Sequence, residues 1–375
     1  MQTLSPRILL IGLGRLGSHI LDLLAQIPGI PVVLVGGRNL DYLHQRANLS
    51  LLAALQLGYT PDVSSAFIDL WNIEQTAEVI ASFQPDLIVC AATLVQWEGT
   101  NTLPAPLAER LASAQMGPRL PFHLTLVYKL MQAVHATGRA IKVINTIYPD
   151  VVNPVLGKVG LAPTSGSGDL ANNVPALRKA IAAQLHVPLE QVEVRLIMAR
   201  YISYWLSRRS IANTPFHFTV LVKGEDVTAL LDVEAVFSQL PTTWKRIGGT
   251  VGRLMAATSA AIVCEGLVRK TGMITHAPGP NGLPGGYPVK VDEGVEIILP
   301  QCMSLEAAIH INEAGLRLDG IEKIENDGTV YFIEKNMAIL KEILGYECRR
   351  MPLSEVEYWA RELHAKYLAS ARRYQ

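Results

Sequence analysis

In the first part of the chain, short apolar runs alternate with longer stretches of mixed polarity. Ile8–Ile11, "PVVLVGG" from Pro31 and "PDLIVCAAT" over Pro85–Thr93 have the length and composition of strands buried on both faces. Between them, apolar residues recur three and four positions apart, the helical period. "AFIDLWN" (Ala66–Asn72) predicts another strand, leading into a helix from Ile73. "HLTLVYKLMQAVHATG" predicts a helix starting near His123, and "AIKVINT" (Ala140–Thr146) the strand after it. This alternation predicts a parallel sheet covered by helices on both sides.

The second half changes character. "FHFTVLV" reads as a strand, and "YPVKV", "GVEIIL" and "TVYFI" predict an antiparallel sheet; "SLEAAIHINEAG" and "SEVEYWARELHAKYLASARR" predict flanking helices. "GTVGRLMAATSAAIVCEGLVRK" predicts a long helix whose small residues suit close packing on another helix or a second subunit, which favours a homodimer. "MARYISYWLSRR" reads as an extended strand, and the glycines and prolines of Thr275–Val291 mark an ordered loop.

The first strand ends in "GLGRLG", with Gly12, Gly14 and Gly17 in G-x-G-x-x-G spacing before an amphipathic helix. The first glycine permits a tight turn, the second close approach of a phosphate, and the third close helix–strand packing. Backbone N–H groups around Arg15 and Leu16 would face a pyrophosphate. The expected fold is therefore α/β: a Rossmann-type doubly wound parallel sheet over residues 1–150, then an α+β domain over 151–375 for substrate binding and association.

An acidic residue normally closes the second strand of such a unit, accepting hydrogen bonds from the adenosine ribose and repelling a 2′-phosphate. Here Gly36, Gly37, Arg38 and Asn39 stand there. A guanidinium in place of a carboxylate fits a 2′-phosphate through paired, charge-assisted bonds, so the expected cofactor is NADP, with NAD possible. Asp69 is placed either at the adenine edge or in a strand-end capping role. Ala91, Ala92 and Thr93 follow Cys90 as a small-residue floor under the cofactor. The segment from Leu94 to Phe122 lies at the carboxyl edge of the sheet, where ligands bind, and is a candidate lid.

Composition narrows the classes. The 375 residues carry 33 Lys and Arg against 33 Asp and Glu, which argues against broad capture of nucleic acid or of an anionic membrane. Cys90, Cys264, Cys302 and Cys348 form no CxxC pair, so neither a disulfide framework nor a zinc cluster is expected, and a reducing, cytoplasmic setting fits. His310 and Glu313 share helical spacing but lack further ligands; no metal is expected. The opening "MQTLSPRILLIGLGRLG" imitates a signal peptide, yet its glycine spacing has the nucleotide explanation.

Ile144–Tyr201 resembles the lactate and malate dehydrogenase superfamily in the order of its parts: strand-end asparagine, short helix, "GSG" turn, long helix, "VPLEQVEV" connection and a final strand. The "GGRN" turn and "AAT" strand also resemble saccharopine dehydrogenase-like reductases. The first resemblance implies an asparagine near the nicotinamide, assigned to Asn145, with Asn153 capping a helix that starts at Pro154. It also implies a catalytic histidine, an orienting aspartate and a carboxylate-clamping arginine. Those positions hold Arg200, Asn173 and Ala176, with Arg178 retained nearby, so the relay of 2-hydroxy acid oxidation is not in its usual place.

Hydride transfer still needs a proton donor and support for developing charge. On a strand, Arg200 and Tyr204 would share a face, Arg200 holding a carboxylate or polarising a carbonyl and Tyr204 donating a proton; the same pattern also describes a half-buried strand with aromatic packing. His276, in the Gly/Pro loop, is the other candidate acid–base group, its alternative being a solvated loop histidine. The expected function is an NADP-dependent oxidoreductase acting on a small carbonyl, alcohol or imine. The alternatives are an opine- or saccharopine-like amino acid dehydrogenase and a non-catalytic NADP-binding sensor.

Overall fold

The structure, a computed structural model, describes residues 6–28, 32–95, 103–209, 211, 213–249, 251–301 and 303–373. Pro31, residues 96–102 of the candidate lid and Cys302 lie outside these residues. Six parallel strands form the first sheet: β1 (Arg7–Ile11), β2 (Val32–Gly37), β3 (Asp62–Phe67), β4 (Leu87–Cys90), β5 (Lys142–Asn145) and β6 (Ser165–Gly166). Their order, β3-β2-β1-β4-β5-β6, reverses direction between β1 and β4, and a crevice opens there at the carboxyl ends. The crossovers are α1 (Arg15–Leu24), α2 (Leu40–Gln56), α3 (Ile73–Phe83), α4 (Ala105–Ala112) with α5 (Leu120–Ala136), and α6 (Pro149–Gly157).

Neighbouring residues of one strand serve opposite cores. Leu9 and Ile11 join the face covered by α3 and α5, while Ile8 and Leu10 join the face covered by α1. The strand expected at Ala66–Asn72 forms earlier, at Asp62–Phe67. This is an edge strand with Val63 as its one buried residue, so it lacks the long apolar run of its neighbours. Asp69 then turns the chain, its Oδ1 accepting the Trp71 N–H at 3.2 Å, and Asn72 caps α3 by accepting the Gln75 N–H at 2.9 Å.

The second sheet is antiparallel. It comprises β7 (Val192–Met198), β8 (Phe216–Val222), β9 (Glu225–Asp226), β10 (Met273–Pro278), β11 (Gly286–Val291) and β12 (Val295–Ile297), ordered β10-β11-β7-β8-β9 with β12 beside β11. With it come α7 (Val174–Leu185), α8 (Arg200–Leu206), α9 (Val233–Ser238) and α10 (Arg253–Arg269). The small-residue helix α10 lies against α1 of the same chain, so those residues serve an internal contact.

The remainder contains α11 (Leu305–Leu318), α12 (Glu334–Leu344), α13 (Val356–Arg373) and a three-stranded sheet of β13 (Ile321–Ile324), β14 (Val330–Phe332) and β15 (Arg350–Met351). "TVYFI" thus pairs here and not with "YPVKV". Helix α13 packs on α5, and Leu363 and Tyr367 enter the same core as Leu9 and Leu124. No helix among the described residues is long and apolar enough to cross a membrane.

Candidate functional site

The glycine turn is shaped by contact. Gly12 holds φ +96°, and a Cβ there would meet the Ala91 and Ala92 backbone at 2.8 Å; a Cβ on Gly17 would lie 2.0 Å from the Gly12 oxygen. At Gly14 a Cβ would meet nothing within 4 Å, so that glycine leaves open space beside the first turn of α1. This space belongs to a cavity of about 980 Å³, large enough for an extended ligand.

The cavity follows the carboxyl ends of the sheet. Gly12, Gly14, Arg15 and Leu16 line it at the turn; Gly37, Arg38 and Asn39 line it at the end of β2. Asp69 borders it beyond β3, and Ala91, Ala92 and Thr93 form its floor beyond β4. Gly17 lies beneath the turn, where it brings α1 onto β1. Asn39 also caps α2, its Oδ1 accepting the Tyr42 N–H at 3.1 Å. The open space at Gly14 and the positive end of α1 together fit the pyrophosphate of a dinucleotide.

The far end of the cavity is built by α8, by the turn before α7 and by the segment preceding α10. Tyr204, Asp169, Asn173 and Tyr148 line it, as do Arg208, Lys245 and Arg246. Arg208 lies 3.7 Å over the Tyr204 ring and donates to the Tyr204 carbonyl at 2.6 Å. Arg246 donates to the Asn172 carbonyl and to Asn173 Oδ1.

Beneath this wall lies a buried polar network. Arg200 donates from Nε and Nη2 to the two oxygens of Asp319, each at 3.0 Å. Tyr148 donates its hydroxyl to Asp319 Oδ2 at 2.9 Å. Burial, then the Asp319 charge, holds the Tyr148 hydroxyl well above its ordinary pKa. Burial alone would lower Arg200, but Asp319, Tyr148 and Asp169 together outweigh it and the guanidinium stays charged. Burial, then Asp169, pushes the carboxyl of Asp150 well up, and burial also raises Asp169. His123 is pushed down to about 3 by burial and by Arg119 and Arg200; its Nδ1 sits 3.1 Å from Thr93 Oγ1.

Several expected roles change. Residues 200–206 form α8, not a strand, because the chain turns out of the sheet at Ala199; the four-residue spacing still puts Arg200 and Tyr204 on one helical face. Tyr204 reaches the cavity, whereas Arg200 points below it into Asp319 and does not line it. His276 lies in β10, not in a loop. It is buried, its Nε2 accepts the Leu196 N–H at 3.1 Å, and burial lowers it to about 3, so it has neither access nor basicity for proton transfer.

Asn145 is enclosed. It accepts the Ile147 N–H at 2.8 Å and donates to the Ile147 carbonyl and to Asn153 Oδ1, while Thr146, Ile147 and Tyr148 line the cavity in its place. Asn153 lies inside α6, not at a cap, and donates to the Gly279 carbonyl at 2.9 Å. Cys90, Cys264 and Cys348 are buried free thiols, and burial raises Cys90 to about 11. Among the described residues no cluster of three His, Cys, Asp or Glu side chains is placed to hold a metal ion. Sequence reasoning missed Tyr148, Asp150, Asp169 and Asp319; "YPD" and "GSGD" were the visible signal, two aspartates each placed where a parallel strand ends.

The architecture is similar to that of solved lactate and malate dehydrogenases. Lactate dehydrogenase from Eimeria maxima, solved with NADH and oxamate, aligns over 84% of this chain and 92% of its own at 14% identity and a TM-score of 0.56. The fold is that of the lactate and malate dehydrogenases. The Cryptosporidium parvum lactate dehydrogenase, complexed with lactic acid and nicotinamide adenine dinucleotide, aligns over 85% and 99% of the two chains at 15% identity and TM-score 0.56. Malate dehydrogenase from the same organism aligns over 84% and 98% at 12% identity and the same TM-score. No family model and no curated protein sequence matches the chain.

Proposed function

We propose that this protein is an NADP-dependent oxidoreductase moving hydride to or from a small carbonyl, alcohol or imine compound. The observation that carries the reading is one continuous cavity, lined at one end by Gly12, Gly14 and Arg38 and at the other by Asp169 and Tyr204. A bound nicotinamide would supply the hydride or accept it. The chain's own part is to anchor the pyrophosphate at α1, to set a guanidinium against the adenosine phosphate, and to hold the substrate beside Tyr204. Arg208, Lys245 and Arg246 on the same wall favour a substrate with an acidic group.

Calorimetry on the folded protein tests the reading: uptake of NADPH with weaker uptake of NADH supports it, and heat from neither nucleotide sinks it. We further propose a cytoplasmic setting and association of two copies through α2, where Leu49, Leu52 and Leu55 are exposed. Light scattering on Leu49→Glu/Leu52→Glu against the unaltered protein tests the association; a pair of apolar-to-acidic changes that leaves the mass unaltered refutes it.

A further inference from the structure

Asp150 is fully buried in the first turn of α6. Its Oδ1 accepts the Arg200 backbone N–H at 2.8 Å. Its Oδ2 receives no N–H, and the side chains of Asp150 and Asp169 lie within hydrogen-bonding reach of each other. Two carboxylates in contact, one of them sealed from water, do not both ionise, so a proton lies between them. Asp150, with no exposed surface, keeps that proton, and Asp169 accepts it while facing the cavity. The chain holds Asp169 at φ +49°, a left-handed conformation that a non-glycine residue rarely adopts, directly after Gly168 at φ +92°.

Among the titratable groups packed around Asp169, the Arg200 guanidinium favours its ionised form and the Asp319 carboxylate opposes it. Arg200 pairs with Asp319, His276 takes the Leu196 N–H, and Arg178 on α7 donates to the Leu189 and Val192 carbonyls. Tyr204 and Arg253 stand on the cavity wall, and Tyr204 lies edge-on to Trp205 with Arg208 over its ring.

We propose that Asp169 is the acid–base residue of the hydride-transfer reaction, and that Asp150 is its positioning residue, holding a proton against it. The inference rests on the oxidoreductase reading above. In the oxidative direction the substrate O–H or N–H bond breaks and its proton passes to the Asp169 carboxylate. The electron pair of that bond would form the C=O or C=N double bond as the C–H bond breaks, and a bound oxidised nicotinamide would take the hydride. In the reductive direction protonated Asp169 would return the proton to oxygen or nitrogen, and a bound reduced nicotinamide would supply the hydride to carbon. The aspartate pair then alternates between one proton and two, and never carries two negative charges in a buried site.

The test uses the full chain carrying ¹³C-labelled aspartate. Infrared spectra at neutral pH are expected to show a protonated aspartate carboxyl that Asp150→Asn removes. Asp169→Asn is expected to lower NADPH-dependent turnover, across a panel of oxo acids, aldehydes and imines, by about a hundredfold or more with nucleotide uptake retained. Asp150→Ala deprives the Asp169 carboxylate of a hydrogen-bond donor, so the acidic limb of kcat/KM in the oxidative direction should move up by about one pH unit. Asp150→Asn, whose amide still donates, should restore the limb. A carboxyl band that survives Asp150→Asn, turnover of Asp169→Asn within about tenfold of the unaltered protein, or no turnover by the unaltered protein overturns the proposal. The infrared band needs no nucleotide. A band without nucleotide uptake therefore refutes the oxidoreductase reading and leaves a structural proton-sharing pair.

Discussion

Arg200 and Asp319 grip each other through two parallel hydrogen bonds of 3.0 Å beneath the cavity floor, 119 residues apart in sequence. The pair ties α8 to the end of α11, and through Tyr148 it reaches the end of β5. Removing one partner leaves the other charge buried and alone, a loss of about 3–5 kcal/mol. Arg200→Met should therefore lower the urea midpoint sharply while NADPH uptake, measured on the folded fraction, changes little. Unchanged stability with lost selectivity for acidic substrates would instead return Arg200 to the substrate.

Arg38 should decide between the two nicotinamide nucleotides. Its charge-assisted bonds to a phosphate predict that Arg38→Ala weakens NADPH by about ten- to a hundredfold and leaves NADH within about threefold. Calorimetric titration of both nucleotides against both proteins reads the ratio directly. An equal loss for both would place Arg38 away from the adenosine phosphate.

Two glycines of one turn should fail differently. Gly17→Ala drives a methyl to 2.0 Å from the Gly12 oxygen, so α1 must move off β1 and the melting temperature should fall. Gly14→Ala meets nothing within 4 Å and has an ordinary φ of −72°, so the fold should hold. Its methyl occupies the space offered to a phosphate, and NADPH affinity should drop by about tenfold or more. Thermal melts beside calorimetry separate the two; equal behaviour would deny the turn its assigned geometry.

Acid should expose the buried histidine. Burial lowers His276 to about 3, below the usual imidazole value, so the unfolded chain binds a proton that the native state refuses. Its contribution is fully present above the unfolded value of about 6.5 and is lost as pH falls towards 3. Asp150, held above its usual range, works in the opposite sense, so the difference between proteins is the informative quantity. Relative to His276→Gln, the unaltered protein should lose about 1.4 kcal/mol per pH unit between roughly pH 6 and 4. Parallel stability–pH curves would show that His276 protonates in place.

Tyr204 now has a narrower role than proton donor. With Arg208 over its ring and Asp169 beside the cavity, Tyr204→Phe should lower kcat by less than about tenfold, and Tyr204→Ala should raise KM more than it lowers kcat. Steady-state kinetics on whichever compound of the oxo acid, aldehyde and imine panel is turned over will show which parameter moves.

The glycine-turn end of the cavity was legible because its signals are local. A glycine triplet, the strand before it and Arg38 after the next strand all lie within a few tens of residues, so their spacing is visible without any distant contact. The other end was not, because it is assembled at long range. Asp150, Asp169, Arg200 and Asp319 come from four separate elements, and in sequence each reads as an ordinary polar residue. His276 misled for a related reason. Glycines and prolines crowd from Pro278 to Pro288, yet the residues just before them pair fully with β11, so a loop-rich composition begins one strand too early. α8 was misread because its aromatic residues suit a strand equally well; the exit from the sheet at Ala199 is set by tertiary contacts.

Phe122, at the start of α5, carries a further consequence. Its carbonyl holds Thr93 and Leu94 in place, while its ring rests against Tyr367 and His364 of α13. Lys129 of α5 reaches Glu357 of α13 and lies over Trp71 on the cavity wall. The cavity wall at Thr93 and Trp71 thus leans on a helix that stands some three hundred residues after the glycine turn, and a chain cut before α13 should lose that buttress.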